Sequence, residues 1–210
     1  GSEMCIRDST GTVIDGLDED LIFTGTADSL SAHWDGFTDS LSGILHLEYA
    51  VGTSPAGSDV VEWTVTVDSS MVESGLSLEN GSIYHVSVRA VDQALNISPS
   101  SSSNGVVVDI TAPSIGAVSD GMGLDEEWTN SFTALYGNWS GFTDTISGID
   151  YYEYAIGTSS GGTNIIDWVM AGLDTSFLRD DLELLSSVTS VSYTHLRAHE
   201  TDSYLVCRLL

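Results

Sequence analysis

Alternation of apolar and polar residues runs through most of this chain, with the two-residue period of strands buried on one face. In "SLSAHWD", Leu30, Ala32 and Trp34 alternate with Ser31, His33 and Asp35. In "ILHLEYAVGT", Leu45, Leu47, Tyr49 and Val51 share one face and leave His46 and Glu48 on the other. "SIYHVSVRAV" puts Tyr84, Val86, Val88 and Ala90 on the core face and Arg89 outside. Gly, Ser and Asp-rich turns separate these segments, and no stretch between Thr10 and Thr189 sustains a helical period. Short strands at this spacing predict an all-β antiparallel sandwich.

The pattern occurs twice. "HWDGFTDSLSGI" (33–44) returns as "NWSGFTDTISGI" (138–149), and "EYAVGTSPAGSDVVEW" (48–63) returns as "EYAIGTSSGGTNIIDW" (153–168). Trp34 pairs with Trp139, Phe37 with Phe142, Tyr49 with Tyr154 and Trp63 with Trp168, all at an offset of 105 residues. Leu135, Gly137 and Trp139 repeat the first alternation, and Tyr152, Tyr154 and Ile156, with Glu153 outward, repeat the second. A period this long marks a domain rather than the unit of a solenoid. The predicted organisation is two tandem sandwiches, residues 10–112 and 113–189, joined in "VDITAP"; residues 1–9 and 190–210 are assigned to neither. The second copy follows the first, with one inserted residue, through "LEL" (182–184) and then departs from it. It is therefore expected to be a truncated sandwich that leaves Tyr152, Tyr154 and Ile156 along an unpaired edge. Unit one is expected to fold alone, and residues 114–210 are not.

"LSLENGSIYHVSVRAVD" (Leu76–Asp92) resembles the late-strand signature of fibronectin type III domains, a leucine and a turn before a tyrosine and an alternating Val-x-Val-x-Ala. The resemblance implies that Tyr84 is a tyrosine-corner residue, its ring buried and its hydroxyl bonded back to nearby backbone. It also implies that Trp34 and Trp139 are core tryptophans of an early strand and Tyr49 and Tyr154 belong to the next. "GFTDxxSGI", "EYAxGTS" and "VDITAP" together are similar to tandem fibronectin-like or immunoglobulin-like repeats of large secreted bacterial proteins. One departure is "DQALN", with Leu95 where such repeats often carry glycine. The chain ends resemble something else. Val191–Thr201, "VSYTHLRAHET", "LVCRLL" (205–210) and "EMCIRDS" (Glu3–Ser9) look like translated sequencing-library adapter. On that resemblance His195, His199, Glu200, Cys5 and Cys207 carry no selected chemistry.

Charge narrows the partners. Thirty-one acidic residues face five arginines and no lysine, a formal charge of −26, so nucleic acid and anionic membrane surfaces are repelled. No apolar run approaches the roughly 20 residues that span a bilayer, and no membrane insertion is expected. No nucleophile elbow, phosphate loop or metalloprotease helix appears, so no catalytic, cofactor-binding or metal residue is assigned and no enzyme activity is expected. The leading expectation is a structural or adhesive module of a longer secreted or cell-surface protein, with an unknown protein or polysaccharide ligand. A second reading is an accessory to a secreted hydrolase, in which Trp63, Trp128 and Trp168 stack on sugar; against it, such aromatics ordinarily cover a core edge. A third is calcium held at the domain joint by Asp109, Asp120 and Asp125, with Asp15 and Asp20 in the equivalent places before unit one. Against that, Asp is an ordinary turn residue. Asp39 and Asp144, in the repeated "GFTD", are expected to fix turns while Phe37 and Phe142 plug the sandwich ends. His33, His46 and His85 are expected to be surface residues without partners, and Asn80, Asn96 and Asn138 form glycosylation sequons.

Overall fold

The structure is a computed structural model. It describes residues 11–126, 128–159, 161–184, 191–198 and 201–203, the last two groups as backbone strands, with no helix among them. The chain divides into two compact units, Gly1–Ile110 and Thr111–Leu210.

Unit one contains β1 (Thr12–Asp15), β2 (Phe23–Thr24), β3 (Ser29–Asp35), β4 (Ile44–Gly52), β5 (Val61–Thr66), β6 (Ser70–Ser74), β7 (Ile83–Asp92), β8 (Ser101–Ser102) and β9 (Val106–Val108). One sheet has the order β1-β3-β6 and the other β2-β9-β7-β4-β5, with β8 beside β7. All these pairings are antiparallel except β2 with β9, which is parallel. Alternation places Leu30, Ala32 and Trp34 of β3 in the core, facing Tyr49, Val51, Tyr84, Val86 and Val88 of the other sheet. Each Val or Leu so enclosed contributes about 1.5–3 kcal/mol relative to exposure. Trp34 stacks on Tyr49 with ring centroids 5.9 Å apart. The Tyr49 hydroxyl donates to Glu73, tying β4 to β6, and burial next to that carboxylate pushes the phenol up to about 12. Tyr84 is buried, and its hydroxyl accepts the Glu79 N–H at 2.9 Å. Leu45 departs from its expected face and is 45% exposed, because the β4–β7 register shifts between Ile44 and His46. Leu95 takes a φ of 67°, the left-handed conformation that glycine adopts more easily.

Unit two repeats this order in β10 (Ala117–Asp120), β11 (Leu135–Ser140), β12 (Tyr151–Gly157), β13 (Ile166–Gly172), β14 (Ser176–Arg179), β15 (Val191–Ala198) and β16 (Thr201–Ser203). Its sheets are β10-β11-β14 and β13-β12-β15-β16. The expectation of an unpaired edge at Tyr152, Tyr154 and Ile156 is overturned. β15 pairs with β12 over seven residues, from Tyr151 with Arg197 to Gly157 with Val191. Tyr154 and Ile156 are buried as a result of the closed sandwich, and Trp139 packs among Tyr152, Tyr154 and Phe177. The backbone of the adapter-like segment thus runs where β7 runs in unit one. Residues 1–9, His199, Glu200 and Cys207 lie outside the described residues.

Candidate functional site

Three surfaces of unit one gather polar or aromatic side chains. The first is the turn between β3 and β4. Asp39 Oδ1 accepts the Leu41 N–H at 2.9 Å, and Asp39 Oδ2 accepts the Ser42 N–H at 3.2 Å. The Ser42 hydroxyl lies 2.5 Å from Asp39 Oδ2 and 2.8 Å from Asp92 Oδ2. Asp92, at the end of β7, also accepts the N–H groups of Ala94 and Asn96 and the Asn96 side-chain amide. Hydrogen bonds from Ser42 hold the Asp39 carboxyl below its ordinary range, and those from Asn96 do the same for Asp92. Such carboxylates favour the ionised form and serve as acceptors that fix turns. In unit two Asp144 Oδ1 likewise accepts the Ile146 and Ser147 N–H groups at 2.9 and 3.0 Å. Phe142 is buried and Phe37 half-buried against the core. Each ring lies where a Cβ on Gly11 or Gly116 would sit 2.3 Å from it, so these glycines leave room for the plugs.

The second surface is the outer face of β5, β4 and β7. The Arg89 guanidinium donates from Nε to Glu48 Oε2 at 2.7 Å and lies 4.1 Å from the Trp63 ring centroid. His46 Nε2 is 3.6 Å from Glu48 Oε1. An arginine over an indole face occupies the surface that a sugar ring would use. Trp168, at the corresponding position of β13, is 39% exposed, and Trp128, in the loop after β10, is 86% exposed. Trp128 therefore covers no core edge. The sequence indicated the outward position of Arg89; its partners Glu48 and Trp63 lie across the sheet and emerge only from strand order.

The third is a cleft of about 330 Å³ at the end of unit one, lined by Trp34, Phe37, His46, Leu47, Val67 and Asp68. The Trp34 indole N–H donates to the Asp68 carbonyl at 3.2 Å along its wall.

The aspartates considered for calcium are individually engaged. Asp15 is buried and accepts the Gly105 N–H, Asp20 accepts the Asn104 amide, and Asp125 accepts the Asp120 N–H. Among the described residues no cluster of three or more His, Cys, Asp or Glu side chains is arranged to hold a metal ion. The three histidines have partners, contrary to expectation: His33 Nδ1 is 2.9 Å from the Gly16 carbonyl oxygen, His85 Nδ1 is 3.2 Å from that of Ser103, and His46 neighbours Glu48. Their strand positions are outward, but residues outside the strands reach back to His33 and His85, and His46 meets Glu48 along its own strand. The sequon asparagines are similarly occupied, Asn80 with the Ile110 N–H, Asn96 with Asp92 and Asn138 with the Gly121 carbonyl.

No protein-family model and no curated protein matches this chain. Among solved structures it is similar to the FN1–FN3 domains of chicken CNTN1, at 12% identity and a TM-score of 0.47 over 96% of this chain and 68% of that one. It is also similar to an alpha-L-rhamnosidase from Dictyoglumus thermophilum, at 11% identity and a TM-score of 0.42 over 95% of this chain and 29% of the enzyme. A third likeness is to the Streptomyces avermitilis alpha-L-rhamnosidase complexed with L-rhamnose, at 11% identity and a TM-score of 0.34 over 97% of this chain and 24% of that one. The chain thus spans less than a third of either rhamnosidase.

Proposed function

We propose that the chain is a non-catalytic structural or adhesive repeat module within a longer secreted or cell-surface protein. The observation that supports this reading is the use made of the acids repeated in both copies. Asp39 and Asp144 each bind the backbone of their own turn, and the aromatic residues repeated beside them fill the two cores. Selection on a repeated residue that only shapes a loop is selection for the scaffold. A charge of −26 suits extracellular water of high ionic strength, where the Debye length of about 8 Å or less screens self-repulsion. The test is mechanical and chemical together. Pulled between handles, unit one should unfold and refold reversibly. A hydrolytic activity lost on Asp39→Asn with an unchanged melt would sink the reading.

A polysaccharide ligand has one specific point in its favour, the 86% exposure of Trp128. Trp128→Ala would then abolish retention on a polysaccharide column while leaving the melt unchanged, and equal retention of both proteins removes this reading.

A further inference from the structure

Asp15 ends β1 at 1% exposure, which is unusual for a carboxylate in a chain with 31 acids and five arginines. Its Oδ2 accepts the Gly105 N–H at 3.0 Å, while its Oδ1 is enclosed and has no hydrogen-bond partner. Gly105 belongs to the turn between β8 and β9 and has a φ of 97°. A Cβ there would sit 2.6 Å from the His85 ring, so the turn reaches Asp15 only with glycine at its tip. Asn104 of the same turn donates to Asp20 at 3.0 Å, and the Ser103 carbonyl meets His85. Beyond this turn β9 pairs with β7 and, in parallel, with β2, and the Val107 N–H donates to the Ile22 carbonyl at 2.9 Å. One buried carboxylate therefore anchors the segment that carries the last strand of unit one.

We propose that Asp15 is a proton-operated latch: its neutral form holds the β8–β9 turn, and with it β9 and β2, more tightly than its ionised form does. The cause is the enclosed Oδ1, whose hydration is lost when the group is charged and is not made up by the contacts of Gly105 and Ser103 with the carboxyl. Burial pushes the Asp15 carboxyl above its ordinary value; the Ser103 hydroxyl and the Gly105 N–H pull it down, Asp20 adds repulsion and His85 opposes that repulsion. The other ionisable groups around it are Asp18 and Glu19 on the loop after β1 and His33 on β3, which bonds to the adjacent Gly16 carbonyl. Because the folded value is raised, the stabilisation is complete below the ordinary 3.8 and is lost as pH rises through the folded value. Acidification from neutrality tightens β9. The corresponding Asp120 of unit two is half-exposed.

The test uses the full chain labelled with ¹³C and ¹⁵N. The Asp15 Cγ resonance should titrate above ordinary carboxylates, and the Gly105 amide should report the same midpoint. Protection of the Val107 amide, corrected for intrinsic exchange, should rise on acidification by about tenfold for each pH unit separating the Asp15 midpoint from the ordinary value. In Asp15→Asn both responses should vanish. If that variant does not fold, Asp20→Asn decides, since it alters an exposed residue: it should lower the Asp15 midpoint and move the Val107 response with it. An Asp15 midpoint at or below the ordinary value, a pH response that persists in Asp15→Asn, or a Val107 response that stays in place while the midpoint moves would each overturn the latch.

Discussion

Units one and two bury the same tryptophan and tyrosine but build different walls around them. In unit one Ala32 of β3 faces Met71 of β6 across the ladder; in unit two the same pair is Gly137 and Phe177. A Cβ on Gly137 would meet the Phe177 ring at 2.4 Å, so the larger ring on one strand is matched by the loss of a methyl on the other. Phe177 then stacks on Tyr154 with centroids 4.3 Å apart, whereas in unit one Tyr49 reaches past its neighbours to hydrogen-bond Glu73. The position of Glu73 in β6 is taken by Arg179 in β14, which removes the acceptor. Tandem copies thus conserve filled volume and sheet order while exchanging polar ties for aromatic stacking.

The largest contrast lies in the strand beside the core tyrosine. In β7 the partners of Leu47, Tyr49 and Val51 are Ala90, Val88 and Val86; in β15 those of Tyr152, Tyr154 and Ile156 are Leu196, Thr194 and Ser192. At two register positions where β7 has valine, Val86 and Val88, β15 has Ser192 and Thr194. A chain ending at residue 189 should lose the whole calorimetric transition of unit two and keep that of unit one, since β12 keeps β13 but loses β15 and becomes an edge. If the shortened chain retains both transitions, β15 contributes nothing and the equivalence with β7 fails.

Next in size is the Gly137 and Phe177 pair. Gly137→Ala should destabilise unit two by about 1–3 kcal/mol through overpacking, and Gly137→Ala with Phe177→Met should recover most of that loss, because it recreates the arrangement of unit one. Urea unfolding of the single and double variants measures the coupling; additive losses would show that the two positions do not share one volume.

The tryptophans give a smaller difference. The Trp34 N–H reaches the Asp68 carbonyl, whereas the buried Trp139 N–H has no hydrogen-bond partner among the described residues; ahead of the matching turn β13 carries one extra residue, the bulged Ala171. Trp34→Phe and Trp139→Phe lose similar apolar area, yet only the first gives up a hydrogen bond. Trp34→Phe should cost about 1 kcal/mol more, read from the urea midpoints of the two transitions.

Strand faces, the 105-residue repeat and the Tyr84 corner were legible in the sequence because each rests on a local period or on a motif contained in one strand. Leu45 escaped because a register shift depends on the partner strand, and β15 escaped because its segment departs from the repeat and resembles adapter sequence, whereas backbone pairing needs neither repeat nor motif. The turn roles of Asp39 and Asp144 were readable from Asp placed before Ser-Gly. Asp92, Arg89 over Trp63 and the burial of Asp15 were not, since each depends on residues brought together from distant strands. An Asp at a strand end looks like a turn residue until the β8–β9 turn closes over it.

The smallest contrast is in charge at one matched turn. Asp59 accepts the Thr53 N–H and hydroxyl at 3.0 and 2.8 Å, and Asn164 accepts the same two groups of Thr158 at 3.0 and 3.3 Å. The Thr53 hydroxyl and N–H hold the Asp59 carboxyl below its ordinary value. A depressed folded value means that the turn's stabilisation is present above 3.8 and is lost as pH falls through the folded value. Asn164 has no proton to take up. Protection of the Thr53 amide should consequently fall below the ordinary carboxylate range while that of Thr158 follows intrinsic exchange alone. Asp59→Asn should abolish the loss at Thr53, and Asn164→Asp should install it at Thr158. Equal acid responses at both threonines in the unaltered chain would mean that the whole module, rather than the carboxylate, sets the behaviour of this turn.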